Sequence, residues 1–434
     1  MTDKFQDKSQ VIEAELTPQD EEFLKEINQQ ILEFLEKDIE ILEFDPMNSY
    51  QRRLVHQMGS LYQLSSKSVG SRDERYVCLL KSQSLGEILS AQEKENFKPR
   101  SLEPIIRLSS NENPYGPSKR VQERIKNSFM HACRYPYAYS DDLATQLAKK
   151  HGVSPESIIV TGGSTEGLKI AGITFAANGG EIISGQPTFL AMMDYAKQWG
   201  ATVNWVPVGA DKGYDLDSIE SQISNKTKLV FLCNPNNPTG TLVPAKKLTD
   251  FCDVASKKTI VFSDEAYYDF IETPNYPSMI DAVKRGDNVI VSKTFSKVYG
   301  MAGLRVGYLI AKPEIANQIR KNVVAMSNVL AVEAAKEALK DEEFYKFSLE
   351  KNKEAKQRIY KLLEHLKLDY VTSHTNFIFF HSKRDIRDLG PNMLKKGVRI
   401  GRPFPPFYDW CRISTGTLDE VDLFIKGMLE VYKA

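Results

Sequence analysis

The chain has 434 residues, with 57 basic and 57 acidic side chains and a formal net charge of zero. It is long enough for two or three domains, and its balanced charge removes any global argument for nucleic acid or membrane, so that local charge must carry one. The polar, acidic start "MTDKFQDKSQ" does not read as a secretory signal, and no apolar run approaches the about 18 residues of a membrane span.

Residues 1–16 are polar and are read as a disordered tail. A helix is expected from Thr17, a candidate N-cap, with Pro18 at its first position and acids in its first turn. Phe23, Ile27, Ile31, Leu32, Phe34 and Leu35 recur at helical spacing, so one face should be buried. The strand "IEILEF" and the turn "DPMNS" follow, then a helix in which Ser49 can cap and Arg52 and His56 stand four apart on one face. "LSSKSVG" reads as a loop and "ERYVCLLKS" as a strand. Residues 17–83 are thus a small α+β unit, within the size that folds alone. Residues 84–104 are charged, weakly patterned and read as a linker.

From about residue 105 the texture changes. Short β-branched runs, "SIIVTGG", "TKLVFLC", "KTIVFSDEAYY" and "NVIVSKTFS", alternate with helical stretches, which argues for an α/β fold with a mainly parallel sheet covered by helices. The final part, with "EEFYKFSLEKNKEAKQRIYKLLEHL", "TNFIFFH" and "DWCRIST", suggests a smaller α+β domain. The five cysteines (Cys78, Cys133, Cys233, Cys252, Cys411) show no C-x-x-C spacing and no histidines at ligand distance, so no metal site is expected and the thiols read as reduced, in the cytoplasm.

Four segments carry chemistry. In "VIVSKTFSKVYGMAGLRVGYLIA" a strand delivers Lys297 into a Gly-rich turn, with Arg305 eight residues on. Lysine is the side chain that condenses with a carbonyl cofactor, and burial beside other cations frees its amine to do so. "FSDEAYYDF" ends a strand with Asp264, and Tyr267 follows three later; "CNPNNPTG" ends another and carries Asn237. "VTGGSTEGL" is a strand, a Gly-rich turn and a helix start, the geometry that cradles a phosphate on backbone N–H groups.

With "LSSNENPYGPS", "RYPYAYSDDL" and "CRISTGT", these segments in this order resemble the fold-type I pyridoxal 5'-phosphate aminotransferases, and within them the histidinol-phosphate aminotransferase-like branch. The resemblance covers residues 105–434 and implies the type I fold, a large cofactor domain at about 135–320, and a small domain from about 105–134 and 321–434. It implies a homodimeric transaminase of amino-acid biosynthesis that transfers an amino group between an L-amino acid or histidinol phosphate and a 2-oxo acid. Lys297 would hold the cofactor and then move the donor's Cα proton. Asp264 would keep the pyridine nitrogen protonated, with Tyr267 and Asn237 bonding the ring oxygen. Ser164, Thr165, Thr294 and Arg305 would grip the phosphate, Tyr135 would reach it from the partner subunit, and Phe189 would stack on the ring. Arg412 would clamp a substrate carboxylate, Arg402 in "VRIGRPFPPFYDW" is the candidate for a substrate phosphate, and Asn111 and Asn113 belong to the segment folding over the site. Arg402 has a structural alternative ahead of its Pro turn, and Asn111 and Asn113 have one as cap and turn residues. Aromatic or other small L-amino acids stay open as donors.

The N-terminal unit resembles the R-3-H (Arg-x-x-x-His) domain, which implies binding of single-stranded nucleic acid. Besides Arg52 and His56 the resemblance rests on "FDPMNSYQR", "L-x-x-x-S-x-G" and "E-R-x-V". Residues 46–83 hold six basic side chains (Arg52, Arg53, Lys67, Arg72, Arg75, Lys81) against Asp73 and Glu74. A phosphate backbone would find Arg52, with His56 donating or stacking, at a salt-dependent Kd of about 10⁻⁴ to 10⁻⁶ M. Two alternatives stay open: that this pair serves the unit's own packing or a protein contact, and that the aminotransferase fold acts as an amine-sensing regulator tethered to RNA or DNA.

Overall fold

Residues 18–37, 39–62, 64–69, 75–81 and 105–433 are described by the computed structural model. The expected tail and linker lie outside them. The chain divides into two units, Met1–Leu102 and Glu103–Ala434.

In the first unit, helix α1 (Pro18–Glu36) buries Leu24, Ile27, Ile31 and Phe34, an i, i+3, i+4 stripe. Helix α2 (Ser49–Leu61) sets Leu54, Val55 and Met58 into the same core, where Val77 and Leu79 close it from the sheet. Three strands, β1 (Ile41–Glu43), β2 (Ser65–Val69) and β3 (Tyr76–Leu80), form an antiparallel sheet in the order β1-β3-β2. Two local expectations change. The "SSKSV" segment is strand β2 and not loop, because its backbone pairs with the strongly apolar β3 whatever its own side chains prefer. The cap of α2 is Asn48 and not Ser49: its Oδ1 accepts from Tyr50 N at 3.0 Å and Gln51 N at 2.9 Å, while Gln51 Oε1 accepts from Asn48 N. That capping box satisfies N–H groups the first turn would otherwise leave open.

The second unit is built on a seven-stranded sheet. Its strands are β5 (Ile158–Thr161), β6 (Glu181–Gln186), β7 (Thr202–Pro207), β8 (Thr227–Cys233), β9 (Ile260–Asp264), β10 (Val289–Thr294) and β11 (Gly307–Ala311), in the order β5-β11-β10-β9-β8-β6-β7. The contacts among β6 to β10 are parallel, and β11 runs antiparallel to both neighbours. Alternation along the strands fills two cores at once: Leu229, Phe231, Phe262 and Ile290 face one, Val230, Leu232, Val261 and Val291 the other. Apolar residues at consecutive positions, as in "TKLVFLC", are what a sheet covered on both faces requires.

A third core gathers Leu108, the helix Glu342–His365, strands β12 (Phe377–His381) and β14 (Trp410–Ser414), and the helix Leu418–Lys433. Strand β4 (Ile106–Arg107) joins this layer by parallel pairing with β13 (Val398–Arg399). The division of cores differs from the expected 105–134 plus 321–434. Helices Lys119–Ser128 and Val329–Ala338 bury Val121, Ala331, Val332 and Ala335 in a core of the large sheet, because their small apolar faces fit each other and that sheet. Among the described residues no helix is long and apolar enough to cross a membrane.

Candidate functional site

The carboxyl ends of β5, β6, β8 and β9 open into one cavity of about 270 Å³, closed from the other side by residues around Asn111, Phe404 and Arg412. Open α/β sheets place ligands at this edge, where the strands end and helix N-termini begin.

One end of the cavity is a cradle for an anion. The turn after β5 brings Ser164 and Thr165 to the start of the helix Ser164–Ala176, whose N-terminus no side chain caps. Gly163 has φ +89°, and a Cβ there would stand 2.4 Å from Nη2 of Arg305. Only glycine lets the guanidinium lie against this turn. Arg305 donates to the carbonyls of Ala302 (2.8 Å) and Gly162 (3.2 Å), which fixes its position while leaving donors toward the cavity. Thr294 is not on the cavity wall; its hydroxyl donates to Ser296 Oγ at 3.0 Å, and Ser296 is the hydroxyl that lines the site. Strand alternation turns Thr294 inward one step before the chain enters the turn.

Lys297 leaves that turn with its Nζ donating to the backbone carbonyl of Asn111 at 2.9 Å. Burial, with the Arg412 guanidinium next, pulls its amine down to about 8. Asp264, the last residue of β9, is 2% exposed, and burial pushes its carboxyl up to about 7. Among the described residues its Oδ1 has no hydrogen-bond partner. The Tyr267 hydroxyl accepts from Asn111 Nδ2 at 2.9 Å and from Asn237 Nδ2 at 3.4 Å. Asn111 itself sits at φ +54°, held by Ser414 Oγ on both its N–H and its Oδ1, each at 2.8 Å.

At the opposite end Arg412, on β14, is 8% exposed and donates to Asn237 Oδ1 and to the Ser109 carbonyl, each at 2.6 Å. Its Nε has no partner among the described residues. Arg402 lines the same cavity, and its guanidinium lies 4.5 Å from the centre of the Phe404 ring, over which Arg412 also lies at 4.9 Å. Phe189 forms part of the wall.

Besides Thr294, two further expected site residues lie elsewhere within this chain. Asn113 turns away, donating to the Val298 carbonyl (2.8 Å) and Ser348 Oγ (3.0 Å), so it braces the covering segment instead of facing the cavity. Tyr135 is 80% exposed and does not line the cavity of its own chain. Sequence reasoning missed Ser296, Thr188, Phe404 and Asn376. The first three stand within two residues of Lys297, Phe189 and Arg402, and that adjacency was the available signal. Asn376 gave none; it reaches the site by bonding the Asn111 carbonyl.

In the first unit, Arg52 Nη1 donates to the Met47 carbonyl at 2.5 Å. Both ring nitrogens of His56 meet serine hydroxyls of β2, Nδ1 with Ser66 and Nε2 with Ser68, at 2.8 Å each. Burial, then the nearby Arg52 and Arg75 cations, hold the His56 ring below its ordinary value. The Arg-x-x-x-His pair is therefore oriented by the unit's own strand and turn.

The family model for aminotransferase class I and II matches residues 103–427, and that for the R-3-H domain matches residues 22–81. Histidinol-phosphate aminotransferases of Moorella thermoacetica and Halalkalibacterium halodurans are 39% and 35% identical to this chain, each over 76% of it and over 86% and 90% of the relatives. The crystal structure of histidinol-phosphate aminotransferase from Sinorhizobium meliloti in complex with pyridoxal 5'-phosphate superimposes with a TM-score of 0.71 at 26% identity, covering 79% of this chain and 94% of that one.

Proposed function

The chain belongs to the class I and II aminotransferases and is a pyridoxal 5'-phosphate-dependent transaminase, and from this we propose that its amino donor is histidinol phosphate and its acceptor a 2-oxo acid. The observation that carries the choice of donor is the pair of guanidinium groups, Arg402 and Arg412, converging on Phe404 in one cavity. Transamination brings two different anions to the same site in its two half-reactions. A buried, forked Arg412 suits the planar carboxylate of a 2-oxo acid, and the more exposed Arg402 adds a second positive charge for a phosphate monoester. Phe404 offers an apolar surface beside both.

The residues present fit the cofactor. An uncapped helix N-terminus with Ser164, Thr165, Ser296 and Arg305 matches a phosphate, and the unpartnered buried Oδ1 of Asp264 matches a protonated ring nitrogen. Phe189 would flank the ring, and Tyr267 and Asn237 would bond its oxygen. When bound, the cofactor supplies an electron sink for the carbanion formed at the donor's Cα. Lys297, whose amine burial brings down to about 8, is still mostly protonated near pH 7 but has a neutral fraction of about a tenth, far above that of an exposed lysine, and its Nζ would hold the cofactor and move the donor's Cα proton. Arg412 orients the substrate, and the Asn111 segment with Phe404 shields the reacting atoms from water.

A panel of donors, read by the absorbance of the bound cofactor, tests the assignment. Histidinol phosphate should convert the cofactor at lower concentration than histidinol or any aromatic or small L-amino acid, by about tenfold or more, the worth of one charge-assisted contact. Equal response to histidinol and histidinol phosphate would remove the phosphate assignment.

The N-terminal R-3-H unit is a nucleic-acid-binding module, and its ligand is single-stranded. Arg52 uses one nitrogen on Met47, and its remaining donors suit a phosphate. Single-stranded RNA titrated into the full chain at two salt concentrations should bind more weakly at the higher salt, and Arg52→Ala should lower the salt slope by about one. An unchanged slope in that variant would place the contact elsewhere. The active form is a homodimer, supported by the exposed run Phe129, Met130, Tyr135 and Tyr137 (61%, 84%, 80% and 63% exposed), and in it Tyr135 would reach the partner's cavity. Five free thiols fit work in the reducing cytoplasm.

A further inference from the structure

Among the described residues, Asn376 is a buried polar side chain that none of the roles above uses. It is 2% exposed, immediately before β12, where Phe377 packs with the large-sheet core and Ile378 with the third core. Its own carbonyl is fixed by Thr415, whose N–H donates at 2.9 Å and whose hydroxyl donates at 3.0 Å. Its Nδ2 donates to the Asn111 carbonyl at 3.1 Å and to the Glu112 carbonyl at 3.3 Å. The Asn111 carbonyl is the same oxygen that accepts from Lys297 Nζ.

We infer that Asn376 is a positioning residue for Lys297: it holds the Asn111 carbonyl at the point where the lysine's amine rests whenever that amine is not bonded to cofactor. Asn111 sits in the left-handed region, at φ +54°, which a non-glycine residue keeps only when its surroundings impose it. Ser414 fixes its N–H and side chain, and Asn376 fixes its carbonyl, so the direction of that oxygen is set from β12 and β14 together. A carbonyl with two lone pairs can serve both donors at once. The resting amine thereby stays within the cavity that Asp264 also lines. The charged groups that act on it there are Arg412, Glu112, Asp264 and Arg305. Asn376 touches neither substrate nor cofactor; it acts through Asn111.

The inference rests on Lys297 being the residue that bonds the cofactor. Borohydride reduction of the full-length holoenzyme followed by peptide mass analysis checks that reading independently, and label on another lysine would overturn the site assignment and not this inference alone. With Lys297 labelled, Asn376→Leu and Asn376→Asp are compared with wild type. Both remove the amide donor at nearly constant size, and the Asp form covers the case in which the Leu form fails to fold. Three quantities are read: kcat, KM for the donor, and the pH midpoint for re-attachment of added pyridoxal 5'-phosphate to stripped protein, followed by absorbance. Expected are a kcat lowered about tenfold, a KM within twofold of wild type, and a re-attachment midpoint displaced, upward in Asn376→Asp where a new carboxylate favours the ammonium. Wild-type kcat and midpoint would overturn it, even with a lowered Tm, since that outcome marks a purely structural residue. A KM raised as much as kcat falls would also overturn it, by assigning Asn376 to the substrate.

Discussion

Lys297 and Asp264 are both buried, and burial disfavours the charged form of each from opposite sides, taking the amine down to about 8 and the carboxyl up to about 7. In the cofactor-free protein each is a burden on stability with its own pH window. For Lys297 the folded value lies below the unfolded one of about 10.5, so the cost is fully present below pH 8 and is relieved as pH rises from 8 toward 10.5. Lys297→Met should therefore raise the Tm of the stripped protein at pH 7, by up to about 3 kcal/mol of stability, while lowering turnover at least about a thousandfold. Calorimetry across pH 7 to 10.5 checks this, and the gain over wild type should shrink as pH rises. A variant less stable than wild type at pH 7 would mean that packing of the lysine stem outweighs burial of its charge.

At the scale of elements, strand ends and helix starts do the placing. The turn between β5 and the helix Ser164–Ala176 brings its backbone close to Arg305 because Gly163 has no side chain and a positive φ. Gly163→Ala would add strain of about 1–3 kcal/mol, since φ +89° with ψ 161° is a conformation that essentially only glycine adopts, and would push the guanidinium aside. Cofactor retention should fall by about tenfold or more, measured as the cofactor remaining after dialysis against phosphate, with donor KM changed less. The first unit uses the same logic differently: β2, built from serines, takes its place by pairing with β3 and then presents Ser66 and Ser68 to the His56 ring. A segment with weak strand preference becomes a strand because its neighbour supplies the hydrogen bonds.

The whole molecule keeps its two units on separate cores, one drawn from Leu24 to Leu79 and the others from Leu108 to Val431. The second unit leaves Phe129, Met130, Tyr135 and Tyr137 exposed on one stretch, a surface that a second copy would cover. Light scattering should give twice the chain's mass of 49.2 kDa, and replacing Phe129 and Met130 by Ser should shift the population toward monomer and lower activity with it. Full activity in a monomer would remove Tyr135 from the catalytic assembly.

The layered α/β architecture is legible in the chain, because a sheet buried on both faces demands apolar runs such as "TKLVFLC" between helical stretches, and these are visible one segment at a time. The family is legible there too, because Lys297, Asp264, Asn237, Arg305 and Arg412 each sit in an ordered local motif. Folding is what settles that Ser296 and not Thr294 faces the cavity, a matter of which way one strand alternates as it enters a turn. It alone decided that Asn113 braces the covering segment, that helices Lys119–Ser128 and Val329–Ala338 pack with the large sheet, and that Asn376 meets the oxygen that Lys297 meets. For Asn113, the two helices and Asn376 the cause is the same: contact at a junction is set by residues far away in the chain, and no local period or spacing carries that information.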